Sequence, residues 1–338
     1  MLRATVLSVA VASLLAPASA RLQTREPVID MHLHASAANN QGPPPVAVCT
    51  PMDPMPVWTQ LRPYAEEFLE ISKKPPCPDP VWSPKTDDEL MNETIAAVRR
   101  LNVYGIIGGI GSRVDRWMTA EPNRFMPGLS LNVADKAPPS LASIRERHAQ
   151  GRLRAIAEVA NQYSGVAPDD PRMEPYWQLA EELDVPVGYH LGTGPPGAVG
   201  LVRDIRARLH SALLLEEVLV RHPRLRLYVM HAGYPMLDDL LAMLWNHPQL
   251  HVDVGGIIFA VPREGFYRYL RAIVDAGYAN RVMFGSDQMV WPGVIERSIN
   301  VINEAPFLTA AQKRDILYNN AARFLRLSQE EMARHRSQ

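Results

Sequence analysis

From Glu26 onward the chain alternates short apolar or β-branched runs with amphipathic helical patterns, and this alternation limits its fold more than any other feature. Eight runs have the length and composition of strands: residues 27–31, 103–110, 125–131, 153–159, 185–190, 225–231, 250–254 and 281–286. Helical patterns lie between most of them, at residues 87–101, 140–150, 174–183, 211–221, 235–246 and 264–276. Because strands that alternate with helices form parallel sheets, eight repeats predict a closed (β/α)8 TIM barrel.

Four stretches lie outside this regular alternation. The link from Val103 to Phe125 is poor in helical signal, and the proline-rich segment 35–85 is longer than an ordinary connection. We interpret 35–85 as an insertion after the first strand that lies over the barrel mouth as a lid or pocket wall, with a loosely packed surface excursion as the alternative. Residues 310–325 are predicted to close the barrel, and 328–338 to form a frayed, charged tail. Residues 21–338 are therefore predicted to be a single domain.

The first twenty residues have the features of a secretory signal. Arg3 precedes a largely apolar run at residues 4–15, and Ala18-Ser19-Ala20 supplies small residues for cleavage after Ala20. A buried N-terminal helix is the alternative. No later stretch reaches the roughly 18 apolar residues of a membrane helix, so no membrane contact is expected after cleavage. The sequence predicts a periplasmic or secreted protein.

The charge balance limits the kind of partner. There are 35 Lys+Arg against 36 Asp+Glu, and a net charge of -1 gives no broad attraction for nucleic acid or anionic lipid. We therefore expect a small-molecule substrate held by local chemistry. The apolar groups within residues 211–221 fit a homo-oligomer face and burial against the barrel equally well.

The chain has two cysteines, Cys49 and Cys77, which excludes a zinc module built from cysteines and a dense disulfide scaffold. In an oxidising compartment they are a candidate disulfide that closes the proline-rich segment, where a cross-link would restrict the unfolded chain. Two unpaired buried thiols are the alternative.

Histidines and one aspartate lie at the ends of four predicted strands, on the side where barrel active sites form. His32 and His34 are two residues apart, so an extended chain directs both imidazoles to the same side. His190, His231 and Asp287 each end a later strand. Imidazoles and a carboxylate suit Zn²⁺ and similar ions, so these residues predict a metal site, with ordinary core histidines as the alternative.

Glu158 lies near the end of the fourth strand and in phase with the barrel interior. It could bridge a second metal, contact substrate or pair with an arginine in the core. The other histidines are predicted to lie in helices, at a strand start or in the tail, and we assign them no role: His148, His210, His222, His247, His251 and His335.

Several motifs together resemble the amidohydrolase-related ("amidohydrolase 2") branch of the amidohydrolase superfamily, over nearly the whole chain after residue 20. They are Asp30-Met31-His32-Leu33-His34, Asp170-Pro171, Pro186-Val187-Gly188-Tyr189-His190, Met230-His231-Ala232-Gly233, Phe284-Gly285-Ser286-Asp287 and Tyr318-Asn319-Asn320-Ala321-Ala322-Arg323. The resemblance implies a metal-dependent (β/α)8 enzyme.

Residue by residue, the resemblance implies that His32, His34, His190 and Asp287 bind a catalytic divalent ion, most often zinc. His231 would be a ligand to a second ion or an acid/base group, and the number of ions stays open. The position of Glu158 is similar to that of a bridging or substrate-contacting acid in some members. The branch contains hydrolases and non-oxidative decarboxylases, so the resemblance leaves the reaction open.

From these residues we expect hydrolysis of a small ester, lactone or amide by metal-activated water. Asp287 would move the proton and His231 would orient the water or stabilise developing charge. Arg113 and Trp291, on loops after predicted strands, are candidates for holding a carboxylated or aromatic substrate. Decarboxylation of a small aromatic or unsaturated acid is the first alternative, and a non-catalytic secreted barrel that binds metal or a solute is the second.

Overall fold

The computed structural model of the chain describes residues 25–192 and 194–337, and the predicted export signal lies outside these residues. Eight parallel strands follow one another around a nearly closed barrel in the order of the sequence. Their bounds are β1 Val28–His34, β2 Val103–Gly108, β3 Phe125–Leu131, β4 Ala155–Val159, β5 Val187–His190, β6 Leu227–Met230, β7 His251–Asp253 and β8 Val282–Met283. The predicted barrel is confirmed: seven of the eight predicted runs contain one of these strands, and the first run, 27–31, overlaps β1, which continues to His34.

The barrel closes between its last and first strands through isolated backbone hydrogen bonds. The Met31 N–H donates to the Phe284 carbonyl at 2.9 Å, and the Asp287 N–H donates to the His32 carbonyl at 2.8 Å. These bonds hold the carboxyl ends of β1 and β8 side by side. Two of the predicted metal-ligating positions are therefore fixed by the closure of the barrel itself.

Helices cover the outside of the strands, so β2 is buried along its whole length and its sequence is apolar or glycine throughout. The α-helices are Tyr64–Lys73, Asp87–Arg100, Gly111–Ala120, Leu141–Ala149, Glu174–Glu182, Ala198–Leu201, Glu216–Arg221, Leu237–Asn246, Ile257–Ala260, Arg263–Ile273, Gly293–Glu304, Ala310–Arg314, Asn320–Phe324 and Gln329–Arg336. Within the described residues, no helix is both long and apolar enough to cross a membrane.

Among the helices that were not predicted, two follow the barrel strands β2 and β8. Gly111–Ala120 occupies the link that showed little helical signal. The signal was weak because this helix begins without a side-chain cap and buries only Val114 and Trp117. Gly293–Glu304 follows β8 and has a wider buried face, but it also begins without a side-chain cap. Helix starts are hard to recognise without a capping side chain, which explains both omissions.

The expectation of a frayed tail after residue 328 is wrong for the helix Gln329–Arg336. Ser328 and Glu331 form a reciprocal capping box at its start. At its end, His335 is 9% exposed, stacks on Tyr104 with ring centroids 3.6 Å apart, and places Nδ1 3.0 Å from the Tyr318 hydroxyl. A buried aromatic contact therefore attaches this helix to the rest of the barrel, although its sequence is highly charged.

The segment after β1 contains two short antiparallel strands, Ala47–Val48 and Val81–Trp82, and the helix Tyr64–Lys73. A disulfide joins Cys49 to Cys77 and closes the part of the segment that contains this helix. The Tyr64 hydroxyl donates to the Pro196 carbonyl at 2.6 Å, across the barrel mouth in the loop after β5. Gly197 has a φ of +70°, and an added Cβ there would lie 2.3 Å from the Tyr64 ring, so glycine is required for this contact.

Candidate metal centre

The carboxyl ends of the strands bring the predicted ligands to one end of the barrel. His32 and His34 are in β1, His190 is the last residue of β5, and His231 directly follows β6. The chain turns into left-handed conformations at His231 (φ 58°) and Asp287 (φ 53°), which is uncommon for residues other than glycine. These turns follow β6 and β8, and they leave the two side chains close together, with His231 Nδ1 4.0 Å from Asp287 Oδ2.

Asp287 lies at the centre of three imidazoles. Its Oδ1 is 2.9 Å from His34 Nε2 and 3.6 Å from His32 Nε2, and its Oδ2 is 4.0 Å from His231 Nδ1. The backbone beside it is close: an added Cβ on Gly256 would lie 2.8 Å from Oδ2, and Gly256 has a φ of +69°. A larger residue at position 256 would displace the carboxylate.

Three overlapping groups of potential ligands have donor atoms within 4.8 Å of one another. They are His32, His34 and Glu158; His32, His231 and Asp287; and Glu158, His190 and His231. Glu158 Oε1 is 3.4 Å from His190 Nδ1, and the rings of His190 and His231 are 4.4 Å apart. His190 therefore joins the cluster through Glu158 and His231, and all six side chains form one connected set.

Asp253, at the end of β7, orients two of these histidines and was not predicted. Its Oδ2 is 3.1 Å from His32 Nδ1, while its Oδ1 accepts the His231 and Gly255 backbone N–H groups at 3.1 and 2.8 Å. A carboxylate that binds the second nitrogen of an imidazole selects its tautomer and direction. The sequence feature that could have identified Asp253 was its position at the end of a predicted strand.

Gln288 and Tyr163 are two further contacts that sequence reasoning missed. The Gln288 side chain accepts from the His34 N–H at 2.9 Å and donates to the His34 carbonyl at 2.7 Å. The Tyr163 hydroxyl, in the short 3-10 helix after β4, is 3.0 Å from His190 Nε2. Neither residue has a pattern that separates it from ordinary loop residues, although Gln288 directly follows Asp287.

The donor set fits a metal ion. His32 Nε2 and His190 Nδ1 are buried and have no hydrogen-bond partner among residues 25–192 and 194–337, although each lies near a carboxylate. Buried imidazole nitrogens are normally satisfied. In both rings the opposite nitrogen has a partner, Asp253 for His32 and Tyr163 for His190, so a lone pair on the unsatisfied nitrogen is free for a cation.

The electrostatics of the cluster also suit a cation. Burial opposes a charge on His32, but the carboxylates of Asp287 and Asp253 outweigh burial and raise the pKa of His32 to about 10. Burial also disfavours ionised Asp287, yet the β1 imidazoles hold its pKa below the ordinary value. Burial, with the nearby imidazoles of His231 and His32, lowers the pKa of His190 well below its usual range. Ionised Asp287 and neutral His190 already have the forms that bind metals. His32 binds a metal only after losing the proton that its raised pKa retains, so metal binding at this residue is coupled to proton release.

A cavity of about 530 Å³ opens onto this cluster, with His231 and Asp287 in its wall. The insertion after β1, Tyr163 after β4, residues 194–210 and the loops after β6, β7 and β8 supply the rest of its lining. Trp291 lines it, but its indole N–H donates to the Val46 carbonyl at 3.0 Å, so the ring presents only an apolar surface. His210, which we assigned no role, is buried and lines the cavity.

The interpretation of Arg113 as a substrate-holding residue is wrong for this structure. Its guanidinium donates to Asp87 Oδ2 at 2.9 Å, and Arg113 is not among the described residues that line the cavity. The unpredicted helix Gly111–Ala120 is the physical reason, because it begins two residues earlier and directs residue 113 toward the neighbouring helix Asp87–Arg100.

A parallel barrel with imidazoles and a carboxylate at its carboxyl end defines the class of metal-dependent barrel proteins. A family model described as amidohydrolase matches residues 29–327. The chain belongs to this family, in the amidohydrolase-related branch to which the motifs pointed, and its members are generally metal-dependent.

Solved structures of the same fold are similar to this chain. An uncharacterised TIM-barrel protein from Bordetella bronchiseptica is 18% identical over 90% of this chain and 99% of its own, with a TM-score of 0.56. A probable 2-pyrone-4,6-dicarboxylic acid hydrolase from Acinetobacter baumannii is 14% identical over 89% and 99%, with a TM-score of 0.54. A 2,6-dihydroxybenzoate decarboxylase from Rhizobium is 15% identical over 89% and 99%, with a TM-score of 0.52. No curated protein sequence gives a significant match. At these identities the structural likeness establishes the fold alone.

Proposed function

We propose that this protein is a metal-dependent hydrolase of a small ester, lactone or amide. The observation that carries the proposal is the position of Asp287, which contacts the imidazole cluster and also borders the cavity. An ionised carboxylate at that place can act on a proton beside a bound substrate. The chain's family contains both hydrolases and decarboxylases, so the reaction type depends on this site.

His32, His34, His190 and Asp287 would hold the ion, with Glu158 and His231 as ligands if a second ion binds. A divalent ion in such a site lowers the pKa of a water from roughly 15.7 to about 7 and polarises a carbonyl oxygen. Zinc suits this mixture of nitrogen and carboxylate donors.

The remaining steps belong to the chain's own residues. Asp287 Oδ2 accepts the proton of the attacking water and returns it to the leaving oxygen or nitrogen as the substrate bond breaks. His231 donates from Nδ1 to the Gly255 carbonyl at 2.8 Å, which holds its ring in place and leaves Nε2 without that proton. Because this hydrogen bond fixes the ring, His231 can orient the attacking water and the substrate carbonyl.

The test is metal analysis followed by turnover of small esters, lactones and amides by the purified, metal-loaded protein. Removing a general base costs roughly 10²- to 10⁴-fold in rate, so we expect Asp287→Asn to lose activity on that scale. Asp275→Asn, at an exposed position, is the matched control and should retain activity.

The same samples separate the alternatives. Release of CO₂ from a small aromatic or unsaturated acid, without hydrolysis of any ester, lactone or amide, would overturn the proposal in favour of decarboxylation. Metal binding without turnover in either assay would instead support a binding role. About two ions per chain would include Glu158 and His231 among the ligands, and about one would leave them for catalysis and substrate.

We also propose that the chain is exported and cleaved after Ala20. The disulfide between Cys49 and Cys77 supports this proposal, because such bonds persist in oxidising compartments. Mass spectrometry of the protein from the periplasmic or extracellular fraction should find Arg21 at the N-terminus. A cytoplasmic protein that retains residues 1–20 would overturn the proposal.

A further inference from the structure

The cavity that opens onto the cluster has an apolar wall. Among the described residues that line it are Met52 and Phe68 from the insertion, Ile205 from the segment after β5, and Ile257 and Phe259 from the helix after β7. Burial of apolar surface is the main source of affinity in a site of this composition. A volume of about 530 Å³ falls in the range of pockets that enclose a small organic molecule.

No lysine or arginine is among the described residues that line this cavity. Two basic residues beside the lining are bonded elsewhere: Lys73 Nζ donates to the Pro45 carbonyl at 2.7 Å, and Arg206 Nη1 donates to the Ile205 carbonyl at 2.8 Å. A substrate carboxylate buried in the cavity, away from the histidine cluster, would therefore lose its hydrating water without gaining a cationic partner. Burial of an unpaired charge is strongly unfavourable.

The wall of the cavity is held in place by cross-links, and the entrance to the cavity is also apolar. The disulfide closes the insertion at one side of the cavity, and the hydrogen bond from Tyr64 to Pro196 joins it to the opposite side. At the outer edge, Met55 and Val199 line the cavity and are 42% and 61% exposed. Exposed apolar side chains that continue into a cavity are typical of a ligand-binding surface.

We propose that this cavity receives an uncharged, apolar acyl or aryl group, so that the substrate is a neutral hydrophobic ester, lactone or amide and not a di- or polycarboxylate. This inference rests on the proposed function for the reaction and on the lining for the substrate class. The reacting carbonyl lies at the histidine cluster, and the apolar part of the substrate packs against the insertion.

The experiment compares three p-nitrophenyl esters with the metal-loaded enzyme: the acetate, the hexanoate and the adipate monoester. Each buried methylene contributes about two- to fourfold in kcat/KM, so the hexanoate should react much faster than the acetate. The adipate monoester, which has a terminal carboxylate on a similar chain, should be at least about tenfold slower than the hexanoate. An adipate monoester that reacts as fast as the hexanoate would overturn the proposal.

A charge introduced at the edge of the cavity provides the converse test. Met55→Arg adds a guanidinium at a partly exposed lining position, and we expect the ratio of adipate to hexanoate turnover to rise about tenfold. Val220→Arg adds the same charge at a 61% exposed position in the helix Glu216–Arg221 and should leave the ratio unchanged. An equal rise in both variants would mean that the charge acts at long range and not in the cavity, against the proposal.

Binding measurements separate this inference from the proposed function. Calorimetry with hexanophenone and with 5-benzoylpentanoate compares a neutral ketone with its carboxylate analogue, and neither is hydrolysed. If none of the esters reacts but hexanophenone binds at least about tenfold more tightly, the hydrolase proposal fails and the substrate class stands. Equal or tighter binding of the carboxylate overturns the substrate class, whatever the ester assays show.

Discussion

Acid should loosen the attachment of the C-terminal helix, because His335 is buried in its neutral form. Burial lowers the pKa of His335 from 6.5 to about 4. Between these values the unfolded chain binds a proton that the folded chain does not, so the free energy of unfolding falls as the pH falls. The shift in pKa corresponds to a decrease of at most about 2 kcal/mol in the free energy of unfolding between roughly pH 8 and pH 5.

His335→Phe keeps a ring on Tyr104 but removes both the titrating group and the contact with the Tyr318 hydroxyl. At about pH 8 the variant should be about 1 kcal/mol less stable than the native protein, since one hydrogen bond is lost. Near pH 5 it should be more stable by a similar amount, because the native protein has lost its pH-dependent contribution. Urea unfolding at both pH values measures this reversal.

Tyr318→Phe is the matched control, because it removes the same hydrogen bond and retains the imidazole. It should be destabilised at both pH values and should keep the pH dependence of the native protein. If the difference between native protein and His335→Phe is the same at both pH values, the buried imidazole does not stay neutral and the argument is refuted.

Three further changes test the supports of the site. Asp253→Asn retains an oxygen acceptor but removes the charge beside His32, and chelator competition should show metal affinity roughly 10- to 100-fold lower with an unchanged circular dichroism spectrum. Gln288→Ala leaves two backbone groups at the end of β1 without their partners and should cost about 1–3 kcal/mol in thermal unfolding, whereas an unchanged Tm would contradict the role of that contact. Replacing Cys49 and Cys77 by serine removes a cross-link with a sequence separation of 28 residues, worth about 3.5 kcal/mol in urea unfolding. Limited proteolysis should then cut within residues 50–76, and resistance there would show that the insertion is held without the disulfide.

Local patterns were sufficient to predict the barrel and most of its candidate metal site. Strands in such a barrel are buried on both faces, so each appears as a short apolar run bounded by polar residues. The residue that ends each run lies at the active end of the barrel in every repeat. His32, His190 and Asp287 could therefore be assigned to one site although they come from strands far apart in the sequence.

The helices were harder to predict where capping residues were absent, as at Gly111–Ala120 and Gly293–Glu304. The error at Arg113 follows from the first of these omissions, since a residue taken as part of a loop proved to be in a helix and paired with Asp87. The helix Gln329–Arg336 shows the opposite case. Its sequence is highly charged, and only the contact of His335 with Tyr104 shows that it packs on the barrel.

By itself, the sequence determined the alternation of strands and helices and the chemical type of the ligands, because both are written in the order of neighbouring residues. Only the tertiary structure decided which groups orient those candidate ligands and which residues line the cavity beside them. His32 and Asp253 are 221 positions apart, and part of the cavity wall comes from an insertion that begins directly after β1. Such contacts depend on how distant segments meet when the barrel closes, and no periodicity within one segment contains that information.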